Sequence, residues 1–188
     1  MKSSTRRTTD GSGVQQSPVT SDADQPLRHA AIALGSNLDS ALGSRLDHLQ
    51  AALDALDDPP RTLPIARSAI HETPPVGPIP QGPYLNAAAI LRTTLEPRAL
   101  LARLLEIERS RGRDRAREQR WGPRTLDLDL LLFEQRTLDQ DGLTIPHPRM
   151  TERLFVLLPL AEVAPHWPIP GTSGTVADAL RALRQETR

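Results

Sequence analysis

The segment Arg120-Trp-Gly-Pro-Arg-Thr-Leu-Asp-Leu-Asp-Leu-Leu-Leu-Phe133 is the stretch of this chain most suggestive of chemistry. In a strand, successive side chains point to opposite faces, so Asp127 and Asp129 share one face while Leu126, Leu128 and Leu130 take the other. The aspartate Cα atoms then lie roughly 6.5–7 Å apart, close enough for the carboxylates to share one hard cation or bridge two. Magnesium accepts one or two carboxylates and fills its remaining positions with water and substrate phosphates. Taken alone, Asp-x-Asp reads first as the solvated face of a strand. Its neighbours shift the balance. Seven arginines (Arg109, Arg111, Arg113, Arg115, Arg117, Arg120 and Arg124) precede the pair, opposed only by Glu108, Asp114 and Glu118. Gly112 and Gly122-Pro123 make the stretch an irregular loop rather than one long helix. A cation-rich loop beside a metal-binding pair suits a polyphosphate, although a basic run alone reads as a solvated surface or a nucleic-acid patch.

Composition narrows the options. Of 23 basic residues 22 are arginine, and Lys2 is the single lysine, so a P-loop lysine, a kinase strand lysine and a Schiff-base lysine are all excluded. Phosphate would be handled by arginine, whose planar fork meets phosphate oxygens bidentately. The absence of cysteine excludes disulfides, thiolate metal sites and a cysteine nucleophile. A formal net charge of zero argues against a general nucleic-acid binder.

Further candidates lie in three other segments. His147 sits between Pro146 and Pro148, which hold it in place to donate a hydrogen bond to phosphate or to act as a structural hydrogen-bonder. The five large aromatics include Tyr84 after a proline loop, Trp121 in the arginine loop and Phe155 after the histidine segment, positions from which a flat heterocycle could be stacked or a core filled. Gly35-Ser36-Asn37 reads as a simple turn. His29, His48, His71 and His166 have no metal-ligand spacing.

The elements that must position these residues follow from periodicity. Residues 1–27, rich in Ser, Thr, Gln, Asp and Gly, read as a disordered tail, and residues 28–188 as one domain. A strand from His29 stops at Gly35, a helix follows from about Asp39, and a second strand is expected near Ile65 to His71. The loop 72–83, with five prolines and two glycines, has a restricted shape. Tyr84 to Thr94 reads as a strand, Pro97 opens a second helix, Thr125 to Phe133 is a fourth strand, Thr151 to Val163 holds another element and Val176 to Leu183 a closing helix. The order β-α-β-β-α-β predicts an α/β (α+β) fold with a ferredoxin-like core: an antiparallel sheet, both helices on one face, and C-terminal additions.

Five segments, Ala31-Ile-Ala-Leu-Gly-Ser-Asn-Leu38, Thr73-Pro-Pro-Val-Gly77, Tyr84-Leu-Asn86, Arg120-Trp-Gly-Pro-Arg-Thr-Leu-Asp-Leu-Asp129 and Pro146-His147, resemble in order and spacing the 6-hydroxymethyl-7,8-dihydropterin pyrophosphokinases. The resemblance spans about residues 29 to 170 and implies diphosphate transfer from MgATP to the hydroxymethyl group of the pterin, with release of AMP, in folate biosynthesis. It implies that Asp127 and Asp129 bind two magnesium ions and that Arg113 and Arg124 act on the transferring group. Glu108, Arg115, Trp121, His147 and Arg153 would attend the ATP. Thr73, Pro74, Val76, Tyr84, Asn86 and Phe155 would form the pterin pocket, the ring lying between Tyr84 and Phe155. The stretch from Gly112 to Arg120 is one residue longer than the commonest spacing, leaving the roles of Arg113, Arg115 and Arg117 to be told apart, and Pro148 replaces a frequent tyrosine.

No apolar run is long enough to cross a bilayer and the first residues lack a signal-peptide core, so a cytoplasmic, membrane-free monomer acting on small molecules is expected. Two rival readings are a magnesium phosphotransferase for another heterocyclic alcohol and an RNA-binding module, the latter opposed by the two aspartates and the lack of an aromatic strand signature.

Overall fold

A computed structural model of the chain describes residues 25–119 and 121–186. The expected disordered tail lies, up to position 24, outside the described residues. Strand β1 (Arg28–Ser36) is apolar on both faces and occupies an inner place in the sheet, between β4 (Tyr84–Thr93) and β5 (Asp127–Phe133), antiparallel to both. The other edge of β4 pairs with β2 (Thr62–Arg67) and, further along, with the short β3 (His71–Thr73), giving the order β2-β4-β1-β5. Since each neighbouring pair is antiparallel, β1 and β2 run parallel with β4 between them, and β4 and β5 run parallel with β1 between them. These are two split βαβ units, compatible with the ferredoxin-like core.

The crossover helices α1 (Arg45–Leu56) and α2 (Pro97–Ser110) cover one face. Their Leu49, Ala52, Leu56, Leu100, Leu104 and Ile107 pack with Ile32, Leu34, Ala89, Leu91, Leu128 and Leu130. The C-terminal additions cover part of the other face: α3 (Leu154–Val163) and α4 (Val176–Glu186) bring Val156, Leu157, Leu160 and Val176 onto Ala31, Ala88, Ile90 and Leu132. Leu126, Leu128 and Leu130 therefore point to the α1–α2 side, while Asp127 and Asp129 share the face of the additions. The alternation stops at a bulge, where the register slips between Ala31 and Ile32 and leaves Leu131 as the extra residue. Leu131 and Leu132 join the second core and Phe133 returns to the first, so the run Leu-Leu-Leu-Phe is buried throughout.

Several boundaries differ from expectation. Helix α1 starts at Arg45 rather than Asp39, because Ser40 and Gly43 close a tight turn and Ser44 caps the helix reciprocally with Asp47. The second strand divides into β2 and β3 at Ser68, whose hydroxyl takes the Ala88 N–H that a continuous strand would have bonded. The element expected over Thr151 to Val163 is a 3-10 turn, Met150–Glu152, followed by α3. A hairpin that the sequence reading missed, β6 (Leu138–Gln140) and β7 (Leu143–Ile145), turns on Asp141-Gly142, with Gly142 at φ +71°. Trp167 is half-buried against the second core with its ring edge-on to His29.

Candidate active site

One row of residues crosses four strands. His71 on β3 stands opposite Asn86 on β4, Asn86 opposite Gly35 on β1, and Gly35 opposite Asp127 on β5. Two residues along, Asp129 and Ala88 flank Ala33. The floor between the pterin candidates and the carboxylates is thus glycine and alanine. A Cβ on Gly35 would stand 3.2 Å from Asn86 Oδ1 and 3.8 Å from both Asp127 Cβ and Tyr84 Cδ1, so the three side chains converge over this position and any side chain here would press on the Asn86 amide.

The carboxylates have different surroundings. Asp127 Oδ1 accepts from Arg113 Nη1 at 2.5 Å and Oδ2 from Arg124 Nη1 at 2.6 Å. Burial opposes its ionisation, but these guanidiniums hold its carboxyl below the usual range. Asp129 is pushed the other way, by burial and by the charge of Asp127, and its nearest cations are Arg153 Nη1 at 3.8 Å and His147 Nε2 at 3.9 Å. Burial lowers the pKa of His147. Its backbone N–H donates to the carbonyl of Leu131, the bulge residue, and its Nδ1 accepts from the N–H of Arg149, so Nε2 carries the proton and faces Asp129.

Arg113 is only 2% exposed in its side chain and is held on three sides, by Glu108 (2.5 Å), Glu118 (3.0 Å) and Asp127. Glu108, expected at the nucleotide, has its carboxylate turned inward: it is 1% exposed and accepts from Arg113 Nη1, from Arg115 Nε and Nη2, and from the backbone N–H of Leu128. Burial raises its pKa against the pull of Arg113 and Arg115. Arg115 is half-exposed on Glu108, and Arg117 points outward, 89% exposed, paired with Asp114. The three arginines left equivalent by spacing are thus distinct in place.

The proline loop and the arginine loop meet at Asn37. Its Oδ1 accepts from the N–H of Arg124 at 2.7 Å, its Nδ2 donates to Gln81 Oε1 and the Gly82 carbonyl, and its own N–H donates to the Arg124 carbonyl. Gln81 donates in turn to the Trp121 carbonyl, and the Tyr84 hydroxyl reaches the Gly122 carbonyl at 3.4 Å. Trp121, at φ +69°, packs over Gly77, whose own φ of +123° would strain any side chain. On the pterin side, Asn86 Nδ2 donates to Thr73 Oγ1 at 2.7 Å. Phe155, half-buried at the start of α3, lies under the Arg153 guanidinium. Pro74 and Val76 are exposed, Val76 by 59%.

A family model, that of the 7,8-dihydro-6-hydroxymethylpterin-pyrophosphokinases, matches residues 31–165. The chain belongs to this family. It is 44% identical over 144 residues to the 2-amino-4-hydroxy-6-hydroxymethyldihydropteridine pyrophosphokinase of Pseudomonas aeruginosa, covering 77% of this chain and 85% of the relative. It is 42% identical over 159 residues to that of Bacillus subtilis, covering 84% and 92%. Among solved structures, the HPPK-DHPS of Plasmodium falciparum superposes with a TM-score of 0.67 at 14% identity over 87% of this chain, a likeness of fold. This chain spans 44% of that longer protein. The enzyme transfers a pyrophosphoryl group from ATP to 6-hydroxymethyl-7,8-dihydropterin, in folate biosynthesis.

Two residues of the site escaped the sequence reading. Asn37 was read as part of a simple turn, although a polar residue directly after a buried strand end can bond the backbone of whatever loop crosses it. Arg149 lies with its guanidinium 5.5 Å from the Trp121 ring centre, and its charge lowers the pKa of both Arg153 and His147 after burial has done so. Its only sequence signal is its place two residues from His147.

Proposed function

We propose that the row Asn86–Gly35–Asp127 divides the site into a pterin end and a phosphate end. The pterin ring lies between Tyr84 and Phe155 and is edged by Thr73 and Asn86, with Pro74 and Val76 at the mouth. The triphosphate of ATP runs past Asp127, Asp129, Arg113, Arg124, His147 and Arg153, with Arg115, Trp121 and Arg149 on the side of the arginine loop. The convergence of Asn86, Tyr84 and Asp127 within 4 Å of a Cβ position at Gly35 carries this reading, since it juxtaposes the acceptor pocket with the acids.

Asp127 and Asp129 would hold two magnesium ions. The donor chemistry fits: both are hard oxygen ligands on one face of a strand, and a cation beside Asp129 would relieve the repulsion between the two carboxylates. Bound magnesium supplies neutralisation of phosphate oxygens. The chain's own groups do the rest. Arg113 and Arg124 are already aimed at the acids and are placed to stabilise charge that develops on the moving phosphoryl groups, and His147 can donate Nε2–H to a phosphate oxygen. In the transfer, the hydroxymethyl oxygen bonds to the β-phosphorus, the bond from that phosphorus to the α–β bridging oxygen breaks, AMP leaves with that oxygen, and the hydroxyl proton is released. Glu108 acts behind Arg113 and touches no substrate.

The enzyme is proposed to act in the cytoplasm as a monomer on small molecules, without nucleic acid or membrane; no helix among the described residues is long and apolar enough to cross a bilayer. The metal assignment is tested with Asp129→Asn, chosen because Asp127 also anchors two arginines. AMP formation should fall at least about a hundredfold, and manganese titration followed by electron paramagnetic resonance should lose one of two ions bound with nucleotide. Retained turnover with two ions would refute it.

A further inference from the structure

We infer that Glu162 is a positioning residue that sets the width of the pterin pocket without touching the ring. It lies on α3, seven residues after Phe155, and an interval of seven returns to the same side of a helix. Its carboxylate reaches the edge of the sheet with both oxygens. Oε2 accepts from the backbone N–H of Ala69 at 2.8 Å, and Oε1 lies 2.6 Å from His71 Nε2. Ala69 falls in the break between β2 and β3, where the ladder to β4 offers its N–H no partner. His71 opens β3 and stands opposite Asn86.

The consequence runs along two short paths from one carboxylate. Through α3 it is tied to Phe155, the proposed lower wall of the pocket. Through His71 and the three residues of β3 it is tied to Thr73, which accepts the Asn86 amide at 2.7 Å and forms the proposed edge. β3 has a single sheet neighbour, β4; off the ladder, Glu162 braces its start from α3 through His71, and Arg45 braces Glu72 one residue on. A flat ring stacked on two sides and read along its edge needs both walls at fixed separation, and displacements well under 1 Å weaken such a site. As an ion pair on the surface, the contact would contribute little to stability, because His71 and Glu162 keep 24% and 38% exposure in their side chains. Its effect is on geometry, and on one substrate only.

This inference rests on the pterin pocket proposed above, and the experiment separates the two. Pterin affinity is measured by ring fluorescence in the presence of a non-hydrolysable MgATP analogue, and the affinity of the analogue is measured separately. Glu162→Ala is expected to weaken pterin binding about tenfold and to leave the analogue within about twofold. Glu162→Gln, which retains an acceptor for Ala69, should recover most of the loss. His71→Ala, which removes one leg, should shift pterin affinity in the same direction by less, and serves if Glu162→Ala does not fold. Unchanged pterin affinity in Glu162→Ala, or equal loss of both ligands, overturns the strut. Phe155→Ala is the control: if it binds pterin like the wild type, the pocket itself is wrong and the strut falls with it. If Phe155→Ala loses pterin and Glu162→Ala does not, the strut alone fails.

Discussion

Replacing Glu108 by Gln is the sharpest test of how the phosphate end is built. The carboxylate accepts four hydrogen bonds, three of them from guanidinium groups, inside a position that is 1% exposed. The amide keeps one oxygen, which can still serve Arg113 and the Leu128 N–H as a neutral acceptor, and its NH2 faces Arg115 donor to donor. Arg115 is half-exposed and can turn to water at little cost, whereas Arg113 remains buried and retains only Glu118 and Asp127 as charged partners. Weakening two charge-assisted bonds to neutral ones costs about 2–3 kcal/mol, below the 3–5 kcal/mol that deleting one partner of a buried pair can reach. For a domain of this size that is a fall in Tm of about 4–12 °C. A melting curve reads this directly, and titration with a MgATP analogue and AMP release report on the site. Analogue affinity should move less than about threefold while kcat falls about tenfold, because Arg113 loses its fixed aim rather than the nucleotide losing a contact. A Tm within 2 °C of wild type, accompanied by a large loss of nucleotide affinity, would refute this account and place Glu108 on the ATP.

Three further outcomes are expected. Asn37→Ala removes three side-chain hydrogen bonds at 8% exposure, costs roughly 2–3 kcal/mol, and should speed amide exchange at Arg124 and proteolysis within the loop 74–83; unchanged exchange would dismiss Asn37 as the hub. Gly77→Ala forces a side chain into φ +123° with its Cβ 3.4 Å from Trp121, at a cost of about 1–3 kcal/mol, and should shift Trp121 fluorescence and raise the KM for MgATP, so identical spectra and KM would speak against the contact. His48 is fully buried, accepts from Arg111 Nε at Nδ1 and meets Ser40 with Nε2; burial, then Arg111, lowers its pKa, so the folded state resists protonation. The unfolded chain takes up that proton first, and stability should therefore fall as pH drops below about 6.5, the ordinary histidine value, and recover above it. A His48→Gln variant should show a flatter profile, and an unchanged slope would remove His48 as the cause.

How much of this was legible depends on which physics each residue obeys. Asp127 and Asp129 were legible because strand alternation is local and the leucines between them declare the buried face. The antiparallel sheet with α1 and α2 on one face followed from element order alone. The burial of Glu108 had a signal in the sequence: it falls four residues after Leu104 and eight after Leu100, on the apolar stripe of α2, where a carboxylate must find internal partners. The late start of α1 turned on a capping pair, Ser44 with Asp47, against an equally good cap at Asp39. Asn37, Arg149 and Glu162 were not legible, because their partners lie 87, 28 and 93 residues away and no periodicity connects them.

The row His71–Asn86–Gly35–Asp127 also bears on how the enzyme comes into being. Its members are drawn from four strands spread over more than ninety positions, and each stands beside the next only through the sheet ladder. Such pairings close late in folding, since the entropy of long loops is lost before the contacts form. A partly assembled chain, with helices in place and β5 undocked, would have arginines and aspartates but no site. Recovery of AMP release after dilution from denaturant should therefore trail the return of helical circular dichroism and coincide with the docking of β5, which makes catalytic activity itself a clock for the last strand.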